Sequence, residues 1–492
     1  MDFKKAKPTS TRAAKGTPQG GQISFEVGLI EESNDRVRAP NALNSLFVVL
    51  IGMIVVLAPI PLGSNRPLPW AFWAVVAGAF GTLFFTSLFL RHKDRPLRFT
   101  SFWKILALAC VAPLFALVQL LPIGGGLGLV PEGLATPHLT LSAPVTLFGV
   151  VRLCTYLIVF ILTLEVCSRE LRVRQLARII FFGATAHAIY GLVALKLFGD
   201  IHFWGEKTSY LGFATGTFIN RNSFATFLGM GAVTGLVLIF DRGTHRRQRR
   251  PDADSWFTPY AIETGIYWTC FGILFATVLL TGSRMGLAAT LVAVLLSALM
   301  MRVKSARVSS QAAVTARSAF AMVAGGLFLG ALFVVFGGEV GERAILTEQS
   351  AEGRLALYAQ VVDLIASRPL TGYGLDSFAL AFPLIHDASV PSGVTWDLAH
   401  NSYLTLWVEL GLIAGSAPLI ALAWIVWRLL REVRSRNLYI TGPVTALGVI
   451  TLGGIHSLAD FSLEMEANAL FFVVIVAMGL SQTGRDRRED TR

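Results

Sequence analysis

Charged residues are scarce in this chain, and their scarcity argues against an ordinary soluble protein. Asp, Glu, Lys and Arg make up 15% of its 492 residues, and 54% are hydrophobic. Soluble domains carry about 25% charged residues. Many apolar stretches continue for about twenty residues without a central charge, which is enough to cross the hydrocarbon core of a bilayer. The composition predicts an all-α polytopic membrane protein.

Cysteines and metal-binding motifs are scarce as well. None of the four cysteines is paired with another in a polar loop, so we expect neither a disulfide nor a cysteine-rich metal site. The sequence has no HExxH motif and no carboxylate cluster on the predicted outer side, so we expect no metal and no cofactor. The net charge of +11 does not imply nucleic acid as a partner, because Lys and Arg accumulate in the cytoplasmic loops of membrane proteins.

Hydropathy and charge together predict about twelve transmembrane helices. The apolar stretches lie near 43–60, 69–90, 102–122, 144–166, 176–198, 220–240, 261–281, 284–301, 318–337, 402–427, 441–459 and 467–482. Alternate gaps are rich in Lys and Arg, which puts those gaps and both termini in the cytoplasm. We expect a flexible tail at 1–40 without a cleavable signal peptide, a transmembrane domain at 41–482 and a second tail at 483–492. The one long outer segment, 338–400, precedes the tenth span.

This outer segment contains a predicted amphipathic helix. In RLALYAQVVDLIASRP the apolar residues at helical spacing are Leu355, Tyr358, Val361, Val362 and Ile365. Pro369 is expected to end the helix, and TGYG at 371–374 is typical of a turn. A helix of this kind lies along the membrane surface or covers a cavity.

Three predicted spans begin at the outer face with polar residues. The stretches are GTFINRNSFATF (216–227), TGSRMGLAAT (281–290) and AHNSYLTL (399–406). A helix N-terminus carries free N–H groups and a partial positive charge, which favour anions. Asn222, Ser283 and Asn401 are the predicted N-caps, and capping alone is the alternative explanation for each of them.

Arginines at the same face strengthen the case for an anion site. Arg284 lies between two apolar spans, and Arg354 opens the helix of the outer segment. Guanidinium groups bind phosphate through paired hydrogen bonds and keep their charge in a dry cleft. The alternatives are a side chain that reaches out to the membrane interface for Arg284 and a solvated surface charge for Arg354.

Histidines and carboxylates near the same face supply candidate acid–base groups. His400 precedes the tenth span, and a histidine accepts a proton at neutral pH when a reacting hydroxyl is within reach. Glu409 lies inside that span, where carboxylates generally face the protein interior. His456 and Asp460 are four residues apart, the spacing of neighbours on one helix face. The alternatives are an interfacial histidine at position 400 and an ordinary helix-end pair at 456 and 460.

Four stretches together resemble the O-antigen ligase and O-antigen polymerase superfamily. They are FINRNSFATFLGMG (218–231), TGSRMGL (281–287), EGRLALYAQVVDLIASRPLTGYGLDSF (352–378) and HNSYLTLWVELGLIAG (400–415). The resemblance implies a bacterial inner-membrane glycosyltransferase with a GT-C-like helical fold, no metal and a periplasmic active site. The implied donor is a glycan on undecaprenyl diphosphate, and the implied acceptor is a lipid or glycan hydroxyl.

The same resemblance implies roles for individual residues. Arg284 and Arg354 match family arginines that are expected to bind the donor diphosphate. His400 matches the histidine that is expected to activate the acceptor hydroxyl. Arg221 is a further candidate phosphate contact. The expected supporting residues are Asn220, Asn222, Asn401, Glu409, His456 and Asp460.

Several functions remain open at this level. A ligase passes a finished glycan to lipid A–core in lipopolysaccharide synthesis, whereas a polymerase passes the growing chain of O-antigen or exopolysaccharide to the next lipid-linked repeat unit. A relative that glycosylates proteins, with a protein as the acceptor, is a third alternative.

Twelve spans with both ends inside also suit a flippase for lipid-linked sugars, although the repeated halves common in transporters are not visible. A non-catalytic subunit of a polysaccharide-assembly complex is another class. Membrane lipids and assembly proteins are the expected partners.

Overall fold

The structure of the chain is a computed structural model that describes residues 42–91, 97–123, 137–249, 259–306, 340–390, 396–435 and 440–484. It divides into two compact units, Met1–Asn44 and Ser45–Arg492, and the second contains nearly all of the described residues. Within the described ranges the chain forms helices and turns, with one isolated β-bridge between His202 and Gly205 and no longer strand. Eight of these helices are long and apolar enough to cross a membrane. The prediction of an all-α polytopic membrane protein is confirmed.

The helices follow the predicted spans closely. They are α1 (Ala42–Leu57), α2 (Pro67–Arg91), α3 (Trp103–Gln119), α4 (Ala143–Val166), α5 (Glu170–Lys196), α6 (Arg221–Arg249), α7 (Pro259–Leu280), α8 (Arg284–Ala306), α9 (Val340–Ser367), α10 (Ser402–Arg434), α11 (Thr441–His456) and α12 (Glu466–Leu480). Here α9 is the helix of the predicted outer segment, and the others coincide with predicted spans. The remaining predicted span, 318–337, lies outside the described residues, as does the tail at 1–40.

Helix α6 is the most enclosed of the long apolar helices. In its most apolar stretch 94% of the residues are buried, against 22% in α7. It packs against α5, α7, α8 and α11. Gly229 permits the close approach of α8, because a Cβ at this position would overlap the side chain of Thr290. The polar residues at the start of α6, Arg221 and Asn222, are half-buried.

Helix α10 is broken at Gly411. This residue has φ +70°, and a Cβ there would lie 2.5 Å from the carbonyl oxygen of Leu370. The neighbouring segment, residues 369–374, enters the break, where the backbone N–H of Leu412 donates to the carbonyl oxygen of Pro369 at 2.7 Å. Only glycine combines this backbone conformation with such a close approach.

The TGYG turn at 371–374 satisfies the backbone groups that the break exposes. The N–H of Tyr373 donates to the carbonyl oxygen of Val408 at 2.9 Å. Gln119 of α3 completes the arrangement, since its Nε2 donates to the carbonyl oxygens of Glu409 at 2.8 Å and Thr371 at 2.7 Å. A broken helix at membrane depth requires such partners, because an unsatisfied peptide group in hydrocarbon is costly. The turn predicted from sequence therefore also holds the two halves of α10.

The outer helix α9 ends at Ser367, close to the position expected from Pro369. Its buried face differs from the predicted one: Leu355 is 68% exposed and Val362 is 53% exposed. In the part of α9 whose side chains are described, the buried apolar residues are Leu357, Val361, Leu364 and Ile365, which pack in one core cluster with Phe378, Phe382, Ala399 and Val408. The sequence carries apolar residues on two adjoining faces of this helix, and packing against the following segment and α10 selects one of them.

Candidate active site

Two of the three predicted N-caps are confirmed. The side-chain oxygen of Asn401 accepts hydrogen bonds from the N–H groups of Tyr403 at 3.0 Å and Leu404 at 3.1 Å, at the start of α10. The hydroxyl of Ser283 accepts from the N–H of Gly286 at 3.2 Å, at the start of α8. Both residues therefore satisfy backbone donors that a helix start leaves without partners.

The third predicted cap, Asn222, is wrong. Helix α6 begins at Arg221, two residues earlier than a cap at Asn222 would require, and Asn220 caps it by accepting from the N–H of Asn222 at 2.7 Å. The side chain of Asn222 is then available for another contact, and its Nδ2 donates to a carboxylate oxygen of Asp460 at 3.1 Å. The motif NRN offers two asparagines of equal capping ability, and the helix register chooses the first.

Asp460 joins α6 to the end of α11. Its carboxylate lies 3.6 Å from Nδ1 of His456 and accepts a hydrogen bond from the hydroxyl of Ser462. Nδ1 of His456 in turn lies 3.1 Å from the hydroxyl of Thr226 on α6. Helix α11 ends at His456, so the expectation that the two residues share one helix face is wrong. The turn after the helix nevertheless brings the two side chains together, and both are buried.

His400 lies beside this group in a strained backbone conformation. Its φ is +52°, which is rare for a residue other than glycine and is concentrated at functional sites. The imidazole lies between two aromatic rings, with centroid distances of 5.9 Å to Trp396 and 5.0 Å to Phe461. Its Nδ1 is buried and has no hydrogen-bond partner in the described part of the chain.

Burial lowers the pKa of His400 below its ordinary value, so the imidazole is neutral at neutral pH. The negative charge of Asp460 opposes this shift, and the positive charge of Arg354 adds to it. A neutral histidine is the form that accepts a proton. The surroundings of His400 therefore favour a base.

Arg354 of α9 lies near the same histidine. It is half-buried, and its charge acts on Tyr210, Tyr358 and His400. Within the described ranges it makes no ion pair with a carboxylate. A guanidinium in this position places a positive charge beside His400, which suits an anionic ligand.

Arg221 of α6 acts through its charge on Tyr210, as Arg354 does. Its guanidinium carbon lies 4.2 Å from the ring centroid of Phe213 and 5.6 Å from that of Tyr210. It also adjoins the second polar stretch, because a Cβ on Gly282 would lie 3.2 Å from Nη1 of Arg221. Arg284 follows two residues later as the first residue of α8, where it is exposed.

We call this group the mouth cluster. It consists of Tyr210, Arg221, Arg354, His400, His456 and Asp460, with Asn222 bonded to it and Arg284 two residues from Gly282 beside it. The contacts join the starts of α6, α8 and α10, the end of α11 and the outer helix α9. Within the described ranges no group of three or more His, Cys, Asp or Glu side chains could hold a metal ion.

Glu409 belongs to a different group. Its carboxylate is buried and accepts a hydrogen bond from the N–H of Phe378 at 3.3 Å. Asp376 exerts its charge on it and is itself paired with Arg152 of α4 at 3.0 Å. We call Arg152, Asp376, Glu409, Glu464 and Glu466 the buried acidic cluster. Glu409 therefore faces the protein interior, as expected from its position inside the span, and has a buried backbone partner there.

Ser402 connects the two clusters. Its hydroxyl donates to a carboxylate oxygen of Glu464 at 2.8 Å, two residues after His400. Burial raises the pKa of Glu464 to about 7. The second nitrogen of the Arg152 guanidinium donates to the carbonyl oxygen of Glu464 at 2.8 Å.

Sequence reasoning missed two tyrosines of the site. Tyr210 lies in the loop before α6 with φ +55°, and Tyr358 was expected only to contribute apolar surface to α9. Tyr358 instead donates its phenolic hydrogen to the carbonyl oxygen of His400 at 2.9 Å. Its position four residues after Arg354 was the available signal, since such neighbours share a helix face.

Part of the chain matches a known protein family. Residues 269–419 match the protein-family model described as O-antigen ligase. This stretch runs from within α7 into α10 and contains Arg284, Arg354, His400 and Glu409. The other mouth residues, Arg221 among them, come from outside it. A search of curated proteins found no match.

Proposed function

We propose that the chain is a ligase-type glycosyltransferase of the bacterial inner membrane, because residues 269–419 match the O-antigen ligase family model, as the resemblance to the O-antigen ligase and polymerase superfamily predicts. It transfers a glycan from undecaprenyl diphosphate to an acceptor hydroxyl, such as one on lipid A–core, at the periplasmic face. The family supports the ligase or polymerase type of membrane glycosyltransferase. The donor, the acceptor and the ligase reaction are our proposal.

The observation that carries the proposal is the proximity of Arg354 to a histidine that burial keeps neutral. Arg354 acts on His400 through its charge, and Arg354 and Arg221 both act through their charges on Tyr210. A transferase that displaces a diphosphate needs a base for the acceptor and positive charge for the leaving group. The mouth cluster supplies both within the part of the chain that is described.

In the proposed reaction the acceptor oxygen attacks the anomeric carbon of the donor sugar. His400 takes the hydroxyl proton as the new carbon–oxygen bond forms. The bond from the anomeric carbon to the diphosphate oxygen breaks, its electron pair leaves with undecaprenyl diphosphate, and the configuration inverts. Arg354 and Arg284, with Arg221, stabilise the charge gathering on the diphosphate, because fixed guanidinium groups need no reorganisation during the step. No metal takes part.

The supporting residues act through geometry and charge. Asn401 caps α10 beside His400, and Asn220 caps α6 beside Arg221. Asn222 and His456 hold Asp460, whose negative charge favours the protonated histidine formed during the step. Glu409 helps to keep the broken helix α10 in its shape through the N–H of Phe378.

The test uses cells that lack the gene and carry wild type or His400→Ala at matched expression. Lipid-linked glycans and surface polysaccharide are extracted and sized. Long chains stranded on undecaprenyl diphosphate in the mutant support the ligase. Single repeat units without long chains would instead identify the alternative, a polymerase. Normal polysaccharide with His400→Ala would reject the catalytic base.

Transport is separated from transfer in liposomes. Purified protein is reconstituted with the lipid-linked glycan extracted from the deletion strain and with an acceptor lipid. A new glycosidic bond, detected by mass of the product, is expected. Movement of the donor between leaflets without a new bond would identify a flippase. Absence of both a new bond and donor movement would identify a non-catalytic subunit.

A further inference from the structure

The conformation of His400 depends on contacts outside its own helix. A left-handed backbone costs free energy for a residue with a side chain and persists only where the surroundings fix it. Here the N–H of Ser402 donates to the carbonyl oxygen of Ser457 at 3.1 Å, and Nδ2 of Asn401 donates to that of Leu458 at 3.1 Å. These bonds fix the two residues after His400 to the end of α11.

The carbonyl group of His400 itself is held from α9. The phenolic hydroxyl of Tyr358 lies 2.9 Å from this oxygen and 3.4 Å from the carbonyl oxygen of Leu458. A phenol has one hydrogen to donate, so the shorter contact is the main bond. Tyr358 is therefore the side chain that links α9 to the peptide of His400.

Helix α9 is a firm support for this bond. Leu357 and Val361, on either side of Tyr358 in the helix, are fully buried. They pack in the core cluster that includes Ala399, the residue directly before His400. Arg354 lies one turn earlier on the face that carries Tyr358, and its charge acts on both the phenol and the imidazole.

The geometry points to Tyr358 as a positioning residue that holds His400 in its left-handed conformation and fixes the distance between the base and Arg354. This role rests on the proposed function, in which His400 meets the acceptor and Arg354 meets the donor diphosphate. Helix α9 then sets the distance between His400, which contacts the acceptor, and Arg354, which contacts the donor. Loss of the phenolic hydroxyl should slow transfer without weakening donor binding.

Tyr403 offers a matched control. It is also half-buried, and its hydroxyl donates to a backbone carbonyl oxygen, that of Gly454, at 2.8 Å. That bond ties α10 to α11 and does not involve His400. Tyr358→Phe and Tyr403→Phe therefore each remove one tyrosine–carbonyl bond of similar length, and only the first touches the base.

Transfer rates are measured in liposomes with the lipid-linked glycan from the deletion strain. Tyr358→Phe is expected to lower kcat by about 10- to 100-fold, the effect of misplacing a catalytic group by less than about 1 Å. The donor KM and inhibition by added undecaprenyl diphosphate should stay unchanged, and Tyr403→Phe should resemble wild type. Equal effects of the two variants, or a raised donor KM with unchanged kcat, would overturn the assignment.

A second measurement does not depend on turnover. The imidazole of His400 is titrated by NMR in protein labelled at histidine, with His400→Ala identifying its signal. Release of His400 from its buried position in Tyr358→Phe should raise its pKa toward the ordinary value, because desolvation is the main cause of the lowered pKa and Asp460 favours the charged form. Tyr403→Phe should leave the titration unchanged. An unchanged titration in Tyr358→Phe would overturn the positioning role even if the protein proved not to be a transferase, whereas a shifted titration without transfer would reject only the proposed function.

Discussion

The mouth cluster and the buried acidic cluster lie close to the start of the same helix, yet they use charge in opposite ways. Arg152 in the buried cluster is tied by two bonds to Asp376 and one to the backbone of Glu464, and its guanidinium lies 4.4 Å from the ring centroid of Trp70. Arg354 in the mouth cluster has no carboxylate partner among the described residues. An arginine that is paired with a carboxylate maintains the fold, whereas one without such a partner can bind an anion.

Burial also shifts the pKa values of titratable groups in the two clusters in opposite directions. It lowers the pKa of His400 and raises that of Glu464 to about 7, because in each case it disfavours the charged form. The histidine is thereby kept as a base. The buried carboxyl group is brought to where its neutral form is also populated at neutral pH, which reduces repulsion with Asp376. The comparison predicts that changes in the mouth alter the reaction and that changes in the buried cluster alter stability.

The largest effect is expected from His400→Ala. Loss of a general base lowers the rate by about 10²–10⁴-fold, while the thermal midpoint should stay near that of wild type. Glycan transfer in liposomes and thermal unfolding measure the two quantities. His386→Ala is the control, because His386 also lies in the outer segment and Nε2 of its imidazole bonds the carbonyl oxygen of Val390. If both alanine variants lost activity equally, His400 would have no special role.

Arg354→Gln should have the next largest effect. Removal of a donor that stabilises developing charge costs about 10²–10³-fold in rate, and the affinity for undecaprenyl diphosphate should fall as well. Arg354→Lys should recover part of the loss, since a lysine keeps the charge but not the paired hydrogen bonds. Full activity of Arg354→Gln, at unchanged stability, would contradict a role in diphosphate binding.

Arg152→Gln tests the other side of the comparison. It leaves Asp376 without its partner in a largely buried site, which should cost about 3 kcal/mol of stability. The thermal midpoint should fall, and protein that remains folded should bind undecaprenyl diphosphate as wild type does. Adding Asp376→Asn should restore much of the stability, because the uncompensated charge is removed. Weakened ligand binding at unchanged stability would instead place Arg152 in the site.

Gly411→Ala should have a smaller effect on stability. A Cβ at φ +70° beside the carbonyl oxygen of Leu370 strains the break in α10, at a cost of about 1–3 kcal/mol. Gly272→Ala in α7 is the matched control, since its Cβ would have no atom within 4 Å. The thermal midpoint should fall for the first variant only. Equal midpoints would mean that segment 369–374 can move away without loss.

The sequence predicted the helices well because hydropathy and the alternation of basic gaps depend on local composition. The polar residues at three helix starts were also recognised from sequence alone. The pairing of residues across helices was not predictable: the bonds of Asn222 to Asp460 and of Tyr358 to His400 join segments far apart in the chain. Register was the other gap, since Asn220 and Asn222 are equally good caps and α9 has two apolar faces. Both are decided by tertiary packing.

The smallest predicted effect is a shift in pH dependence, and its direction distinguishes the charges at the mouth. Transfer requires neutral His400, so the rate should fall as the pH drops through the pKa of His400, which lies below the ordinary histidine value. Arg354 lowers that pKa, so Arg354→Gln should move the acid limb of its residual activity to higher pH. Asp460 raises it, so Asp460→Asn should move the limb to lower pH.

Glu464→Gln is the control, because Glu464 is not among the charges that act on His400. The acid limb of this variant should coincide with that of wild type. The profiles of kcat/KM against pH for the four proteins decide the matter. Shifts of Arg354→Gln and Asp460→Asn in the same direction would mean that a group other than His400 sets the acid limb.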